Sequence, residues 1–327
     1  MPASIPSPSP SPSPDPAPLP LLGAMEAGGT KFILAVGTGP GDLRDRVRIP
    51  TTNPAETLAA VILWFRDAQE VHGPIRAFGI GTFGPAGVHP EQPDYGFITT
   101  TPKAGWSQTD LMGPLQAAFP VPAGFDTDVN AAALGEWKWG AGVGCDSLVY
   151  LTVGTGIGGG AIVRGRPLHG LIHPEMGHLR IPLGDAGFGG ICPWHGNCLE
   201  GLASGPAMAA RWGQPAETLP PGHPAWEAEA SYLADACLNI LLTLSPCRIL
   251  LGGGVLQNDH LLPMVRNHLA RRLHGYLSHR HLDGTMAHFL MSPGLGIHSG
   301  IAGALALAAE ALAGQPQTEG HKPQEKA

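Results

Sequence analysis

Asp126-Thr127-Asp128-Val129-Asn130-Ala131-Ala132-Ala133-Leu134-Gly135-Glu136 is the stretch on which the fold turns. The apolar run Val121 to Phe125 ahead of it predicts a strand, and its alanine-rich second half favours a helix. Asp126 and Asp128 therefore fall where a strand ends and a helix begins. In open α/β folds ligands bind at that edge, so a carboxylate there faces a cleft. Asp128 also suits a first helical turn, where its charge meets the positive end of the helix dipole. Taken alone it reads as a helix cap, and only the motifs elsewhere in the chain give it a chemical role.

Upstream, Leu21 to Met25 predicts a buried strand, Glu26-Ala27-Gly28-Gly29-Thr30-Lys31 a bend, and Phe32 to Val36 a second strand. Amides in such a bend can point at phosphate oxygens, with the Thr30 hydroxyl and Lys31 ammonium beside them; an ordinary hairpin turn is the alternative. A third strand is expected at Val47 to Ile49. Asn53, Pro54 and Glu56 then mark a helix start, with Leu58, Val61, Ile62 and Phe65 on its buried face. Arg76 to Ile80 predicts a strand running into the loop Gly81 to Gly87. Gly105-Trp106 follows in irregular chain, where the indole either stacks on a sugar or plugs the core, its commoner fate.

Downstream, Leu148 to Val153 predicts a strand that ends in Gly154-Thr155-Gly156-Ile157-Gly158-Gly159. The glycine spacing matches a dinucleotide fingerprint, but Ala161-Ile162-Val163 continues as strand where that fingerprint needs a helix, so we expect a second glycine hairpin. Trp226 to Leu244 has the spacing of a long helix, with Cys237 a core thiol. The strand Arg248 to Leu251 leads through Gly252-Gly253-Gly254 to a helix after Asn258, and a last helix is expected at about 296–312. Two glycine hairpins and a glycine turn at a helix start suffice to hold a nucleotide, although no lysine-bearing P-loop is present.

The chain has 327 residues, room for two packed lobes, with 43% hydrophobic and 14% charged residues and a formal charge of -7. That balance argues against a nucleic-acid surface and against anionic membranes, and leaves small molecules as expected partners. Five cysteines, an odd number, with no export signal, point to a reducing cytoplasm and not to a disulfide framework. The apolar stretch from Ile301 to Leu307 reads as too short and too rich in alanine to cross a bilayer. Residues 1–20 form a Ser/Pro tail expected to be disordered, as are the polar residues at 314–327.

His178 precedes Cys192-Pro193-Trp194-His195-Gly196-Asn197-Cys198. Two thiolates and two imidazoles in C-x2-H-x2-C spacing favour four-coordinate zinc, with a reduced loop carrying free thiols as the alternative. With four protein ligands the ion would be structural. It would also order Glu175 and Glu200, which flank it and are good acceptors for sugar hydroxyls, with a solvated surface charge as the alternative for either.

Together these motifs resemble the ROK family of bacterial sugar kinases, from Leu21 to about Ala313. The most specific are Glu175-Met176-Gly177-His178 and Cys192 through Glu200. Glu26 to Lys31, Phe83-Gly84-Pro85, Thr101-Pro102-Lys103 with Gly105-Trp106, and Asp126-Thr127-Asp128 are similar to its fructokinase branch. The resemblance implies an α/β, two-lobed, actin-like ATPase (ribonuclease H-like) fold, with a smaller lobe at 21–126, a larger one at 127–313 that carries the zinc loop, and the last helix packing back on the first lobe. It implies ATP-dependent phosphorylation of the 6-hydroxyl of D-fructose, with magnesium, structural zinc and a homodimer. Asp128 would be the base. Gly84, Thr127, Glu175, His178 and Glu200 would bind sugar, and His178, Cys192, His195 and Cys198 would bind zinc. Gly28, Gly29, Thr30 and Lys31, then Gly154, Thr155 and Gly156, would hold phosphates, and Gly252, Gly253 and Gly254 would adjoin adenosine. Glu26 and Thr127 depart from the Asp and Asn of many relatives, which bears on magnesium and on sugar choice. Glucose, mannose or an N-acyl hexosamine stay open as acceptors. A sugar-responsive transcriptional repressor is the rival class, but its helix-turn-helix has no counterpart in the Ser/Pro tail.

Overall fold

The computed structural model describes residues 18–183 and 187–314. The tails expected at 1–20 and 314–327 lie outside the described residues, apart from 18–20 and 314.

The first half opens as an antiparallel meander, β1 (Leu22–Ala27), β2 (Lys31–Gly39) and β3 (Asp42–Pro50). Helix α1 (Pro54–His72) starts where the sequence reading puts it: Asn53 accepts the Glu56 amide at 3.0 Å. It returns the chain to β4 (Ala77–Thr82), parallel to β1. A two-stranded ladder, β5 (Phe97–Ile98) with β6 (Thr109–Asp110), and α2 (Met112–Ala118) lead to β7 (Ala123–Thr127), parallel to β4. Helix α3 (Asp128–Trp139) follows without a break.

The second half repeats the plan. A meander of β8 (Ser147–Val153), β9 (Ile157–Val163) and β10 (Arg166–Pro167) precedes α4 (Leu199–Ala203), α5 (Gly205–Trp212) and α6 (Pro224–Leu244). Then come β11 (Arg248–Gly252), α7 (Leu261–Leu273), β12 (Leu290–Met291) and α8 (Ser299–Ala313), with β11 parallel to β8 and β12 parallel to β11. The two five-stranded sheets share one order, third-second-first-fourth-fifth strand. An antiparallel meander extended by parallel crossovers, used twice, is the duplicated α/β plan of an actin-like ATPase.

Each sheet has its own core. Phe32, Phe65, Phe78 and Trp106 pack behind the first, and Trp226, Leu233, Ile249 and Leu269 behind the second. Trp106 takes the core alternative: it is fully buried, and its indole N–H donates to Thr52 O at 2.8 Å. Cys237 is likewise a core thiol, its pKa pushed up to about 12 by burial. Helix α8 joins the halves, packing Ile301 and Leu305 on Leu22 and Ala24, and Ala306 and Leu307 on the α3 side. With its preceding turn, Gly296–Ala313 runs 18 residues at mean hydropathy 1.4, long and apolar enough to cross a bilayer, where the sequence reading judged the stretch too short. Half of it is buried here between protein layers.

Candidate active site

At the end of β7 the backbone turns from strand to helix between Thr127 and Asp128. The Thr127 hydroxyl accepts the Asn130 amide at 3.2 Å as the cap of α3, and the residue is buried. Its hydroxyl thus serves the helix start. Asp126, expected at the cleft beside Asp128, also lies below it. Its Oδ1 accepts the Thr127 amide at 2.7 Å and the Asn130 side-chain amide at 2.8 Å, and its Oδ2 meets His169 Nε2 at 2.9 Å. Of the three, Asp128 is the one that lines a cavity.

Asp128 opens on a cavity of about 400 Å³ whose wall includes Glu26, Lys31, Gly252, Gly253, Gly254 and Gly300. Burial, then the charges of Glu26 and Glu175, push its carboxyl up to about 7. Burial, then Glu200, does the same for Glu175, which stays 37% exposed at the rim. Glu26 is raised by burial, opposed by Lys31 and Arg46. The Asp128 and Glu175 shifts combine desolvation with like charge, Glu26 and Glu175 acting on Asp128 and Glu200 on Glu175, so the four carboxyls share one field.

Glu26 belongs to β1, paired with Ile33, and not to the bend where the sequence reading put it. The bend is Gly28 to Thr30, closed by the Gly28 amide on Lys31 O at 3.0 Å. In the second hairpin the Gly154 amide reaches Gly156 O at 2.9 Å around Thr155, and β9 follows as strand, which bears out the rejection of the dinucleotide fingerprint. The Glu200 carboxylate accepts the Ile157 amide of that hairpin at 2.9 Å. Gly253, at φ +94°, lies so close to the end of β8 that any Cβ would overlap the backbone of Val153. The third glycine run is thereby held against the second hairpin. Lys31 and Gly252 to Gly254 share the cavity with Asp128, whereas Gly28 to Thr30 and Gly154 to Gly156 form bends beside it.

His178, Cys192, His195 and Cys198 converge, their ligand atoms all within 4.8 Å of one another. Sulfur–nitrogen separations are 3.4 Å for Cys198–His178, 3.9 Å for Cys192–His178 and 3.7 Å for Cys192–His195. Zinc bonds of about 2.3 Å to sulfur and 2.0–2.1 Å to nitrogen give tetrahedral edges of roughly 3.6 Å. The residues therefore fit a four-coordinate ion. Paired backbone bonds between Cys192 and Gly196, 3.1 and 2.9 Å, fold the loop into a knuckle, and the Leu199 amide on Leu179 O at 2.9 Å ties it to the His178 segment.

Three residues with no role in the sequence reading prove central. Glu136, fully buried in α3, accepts the amides of Ala141, Gly294 and Leu295 and the Ser299 hydroxyl at 2.7–2.9 Å, so it sets the start of α8. His169 and His173 join the segment after β10 to the first sheet and to the Gly84 loop. The signal available was the run His169, His173, His178 leading into the metal loop.

The chain matches the ROK family model over residues 22–311. It is 44% identical over 293 residues to the fructokinase of Pediococcus pentosaceus, covering 89% of this chain and 99% of the relative. With the fructokinase of Zymomonas mobilis it shares 42% over 294 residues, 88% of this chain and 96% of the relative. A solved structure of a ROK hexokinase from Thermus thermophilus superposes with a TM-score of 0.72 at 27% identity, covering 89% of this chain and 98% of that one.

Proposed function

The chain belongs to the ROK family, and from that premise we propose that it is a fructokinase, transferring the γ-phosphoryl of ATP to the 6-hydroxyl of D-fructose. Relatives named fructokinase at 42–44% identity over nearly the whole chain support the activity and its sugar. The observation that carries the mechanism is the Asp128 carboxylate, held at about 7, on the wall of a cavity shared with Lys31 and the Gly252–Gly254 turn.

Phosphoryl transfer depends chiefly on positioning and charge neutralisation. Asp128 accepts the hydroxyl proton as the new bond forms, and a carboxyl near 7 is matched to that task at neutral pH. Lys31 and the amides left open in the two bends, Gly29 and Thr30 in the first and Thr155 and Gly156 in the second, hold phosphate oxygens, while the Gly28 and Gly154 amides close those bends. Gly252 to Gly254 let adenosine approach the backbone closely. Glu175, His178 and Glu200 hold sugar hydroxyls, Gly84 closes the other side of that subsite, and Thr127 acts beneath it through the helix cap.

Magnesium, when bound, neutralises charge on the phosphates. Glu26 would hold it: its Oε2 is buried without a partner, a hard oxygen of the type that ion takes. Zinc fits the His178, Cys192, His195 and Cys198 set and would pin Glu175 and Glu200. Residues 21–126 and 127–313 are the two lobes in this reading. The free thiols at the metal loop fit a reducing cytoplasm. A homodimer is expected from the family, and light scattering at about twice 33.9 kDa tests it.

The experiment is a panel of hexoses with ATP and magnesium, read as ADP release. Fructose should exceed glucose, mannose and N-acyl hexosamines by at least about tenfold in kcat/KM. Release with none of them overturns the proposal, and release with glucose first moves it to another sugar.

A further inference from the structure

After β10 the chain crosses back to the first half, and His169 and His173 fasten it there. His169 meets the buried Asp126 below the active site. His173, only 4% exposed, accepts the backbone amide of Ala86 on Nε2 at 3.0 Å. A backbone amide can only donate, so Nε2 carries the lone pair, and the ring is neutral with its proton on Nδ1. Burial holds the His173 pKa down, in keeping with that form. The Nδ1–H therefore faces Pro174 O at 3.4 Å and Glu175 Oε1 at 3.6 Å.

The loop that receives the ring is itself anchored. Phe83 N–H donates to Ala27 O at 2.8 Å, at the end of β1, and Pro85 O accepts the Thr99 amide at 2.8 Å. Gly84 lies against the imidazole: a Cβ there would stand 3.3 Å from His173 Cε1. One neutral ring thus has the Gly84–Ala86 loop on one nitrogen and the Glu175 carboxylate beside the other.

We propose that His173 is a positioning residue that sets Glu175 at a fixed distance from the Gly84–Ala86 loop and so fixes the width of the sugar subsite. This rests on the reading above, in which Glu175 and Gly84 face the sugar. The ring is not among the residues that line the cavity with Lys31 and Gly252 to Gly254, so its effect falls on sugar binding.

Two variants separate its two nitrogens in the full-length chain. His173→Gln places an acceptor where Nε2 stands and keeps Ala86 satisfied, but loses the donor toward Glu175. His173→Asn keeps a donor near Nδ1 and leaves the Ala86 amide bare. His173→Gln should melt within a few degrees of wild type, keep its zinc content, and raise the fructose KM about tenfold while the ATP KM stays within about twofold. His173→Asn should melt lower and show a smaller rise in fructose KM. If wild type releases ADP with fructose and both variants keep its fructose KM, or the KM for ATP rises in step, the proposal fails while the kinase reading stands. A wild type that phosphorylates no sugar removes both.

Discussion

Asp128 owes its basicity to its neighbours: burial, Glu26 and Glu175 raise its carboxyl from the ordinary 3.8 to about 7. Between those two values the folded chain holds a proton that the unfolded chain has released, so this group's contribution to stability is present below about 4 and is lost as pH rises to about 7. Asn at the same place has no proton to lose. Asp128→Asn should therefore melt no lower than wild type at pH 8, with its advantage shrinking toward pH 4, while kcat falls by roughly 10²–10⁴-fold. Calorimetry and an ADP assay read the two halves, and normal turnover would remove Asp128 from the role of base. The same shift sets an expected acid limb: with the base needed ionised, wild-type kcat/KM should climb with pH and level off above about 7, and a flat profile from pH 5.5 to 8 would contradict it. Asp128 was legible because a strand end and a helix start are local signals. Glu136, in the same quoted stretch, was not, since Gly294, Leu295 and Ser299 lie 158, 159 and 163 residues away. His173 and Ala86, 87 residues apart, share that cause.

Among the elements, the metal loop is the one whose order rests least on regular structure. Among the described residues between Arg180 and Leu199 the pairing is limited to isolated bridges, Arg180 with Cys198 and Cys192 with Gly196, and two small knuckle bonds cannot offset the entropy of so many residues. Ion binding worth on the order of 10 kcal/mol in small peptides can. Chelation, or Cys198→Ser, should lower Tm by roughly 5 °C or more and raise the fructose KM through Glu175 and Glu200, whereas the ATP KM should change less. Unchanged melting after zinc is removed, checked by metal analysis, would deny the loop its structural ion. The ligand set could be read because three of the four fall within seven residues, and the start of α1 because a cap, Pro54 and Glu56 lie within four. Glu26 was placed in the bend and not in β1 because glycines mark where a chain can turn but not where pairing stops; cross-strand partners such as Ile33 decide that.

At the scale of the molecule, the proposed half-sites for sugar and ATP both rest on two packed helices, α3 and α8. Asp128 heads α3, Gly300 stands at the start of α8 against Glu26, where a Cβ would come within 2.5 Å of Oε2, and Glu136 bonds the two helices together. The repeat of one sheet order in both halves could not be seen in residue patterns, because two copies of a topology need share no sequence. The crossing itself is backbone on backbone. A Cβ on Gly303 would overlap Ala131 O and one on Gly135 would lie 2.6 Å from Gly303 N, while α8 sits as closely on the first sheet, where a Cβ on Gly79 of β4 would overlap Ala304 O. Helix propensity alone makes Gly303→Ala stabilising by up to about 1 kcal/mol, whereas forcing α8 off α3 costs about 1–3 kcal/mol or more. The contact should win. We expect a lower denaturation midpoint at unchanged m-value, with the KM for fructose and for ATP rising together, since the axis carries both half-sites. Gly222→Ala, with open space around its Cβ, should leave all three at wild-type values. A Gly303→Ala protein as stable as wild type would mean that α3 and α8 can part without cost, and the crossing could then not be what holds the two halves of the site in register.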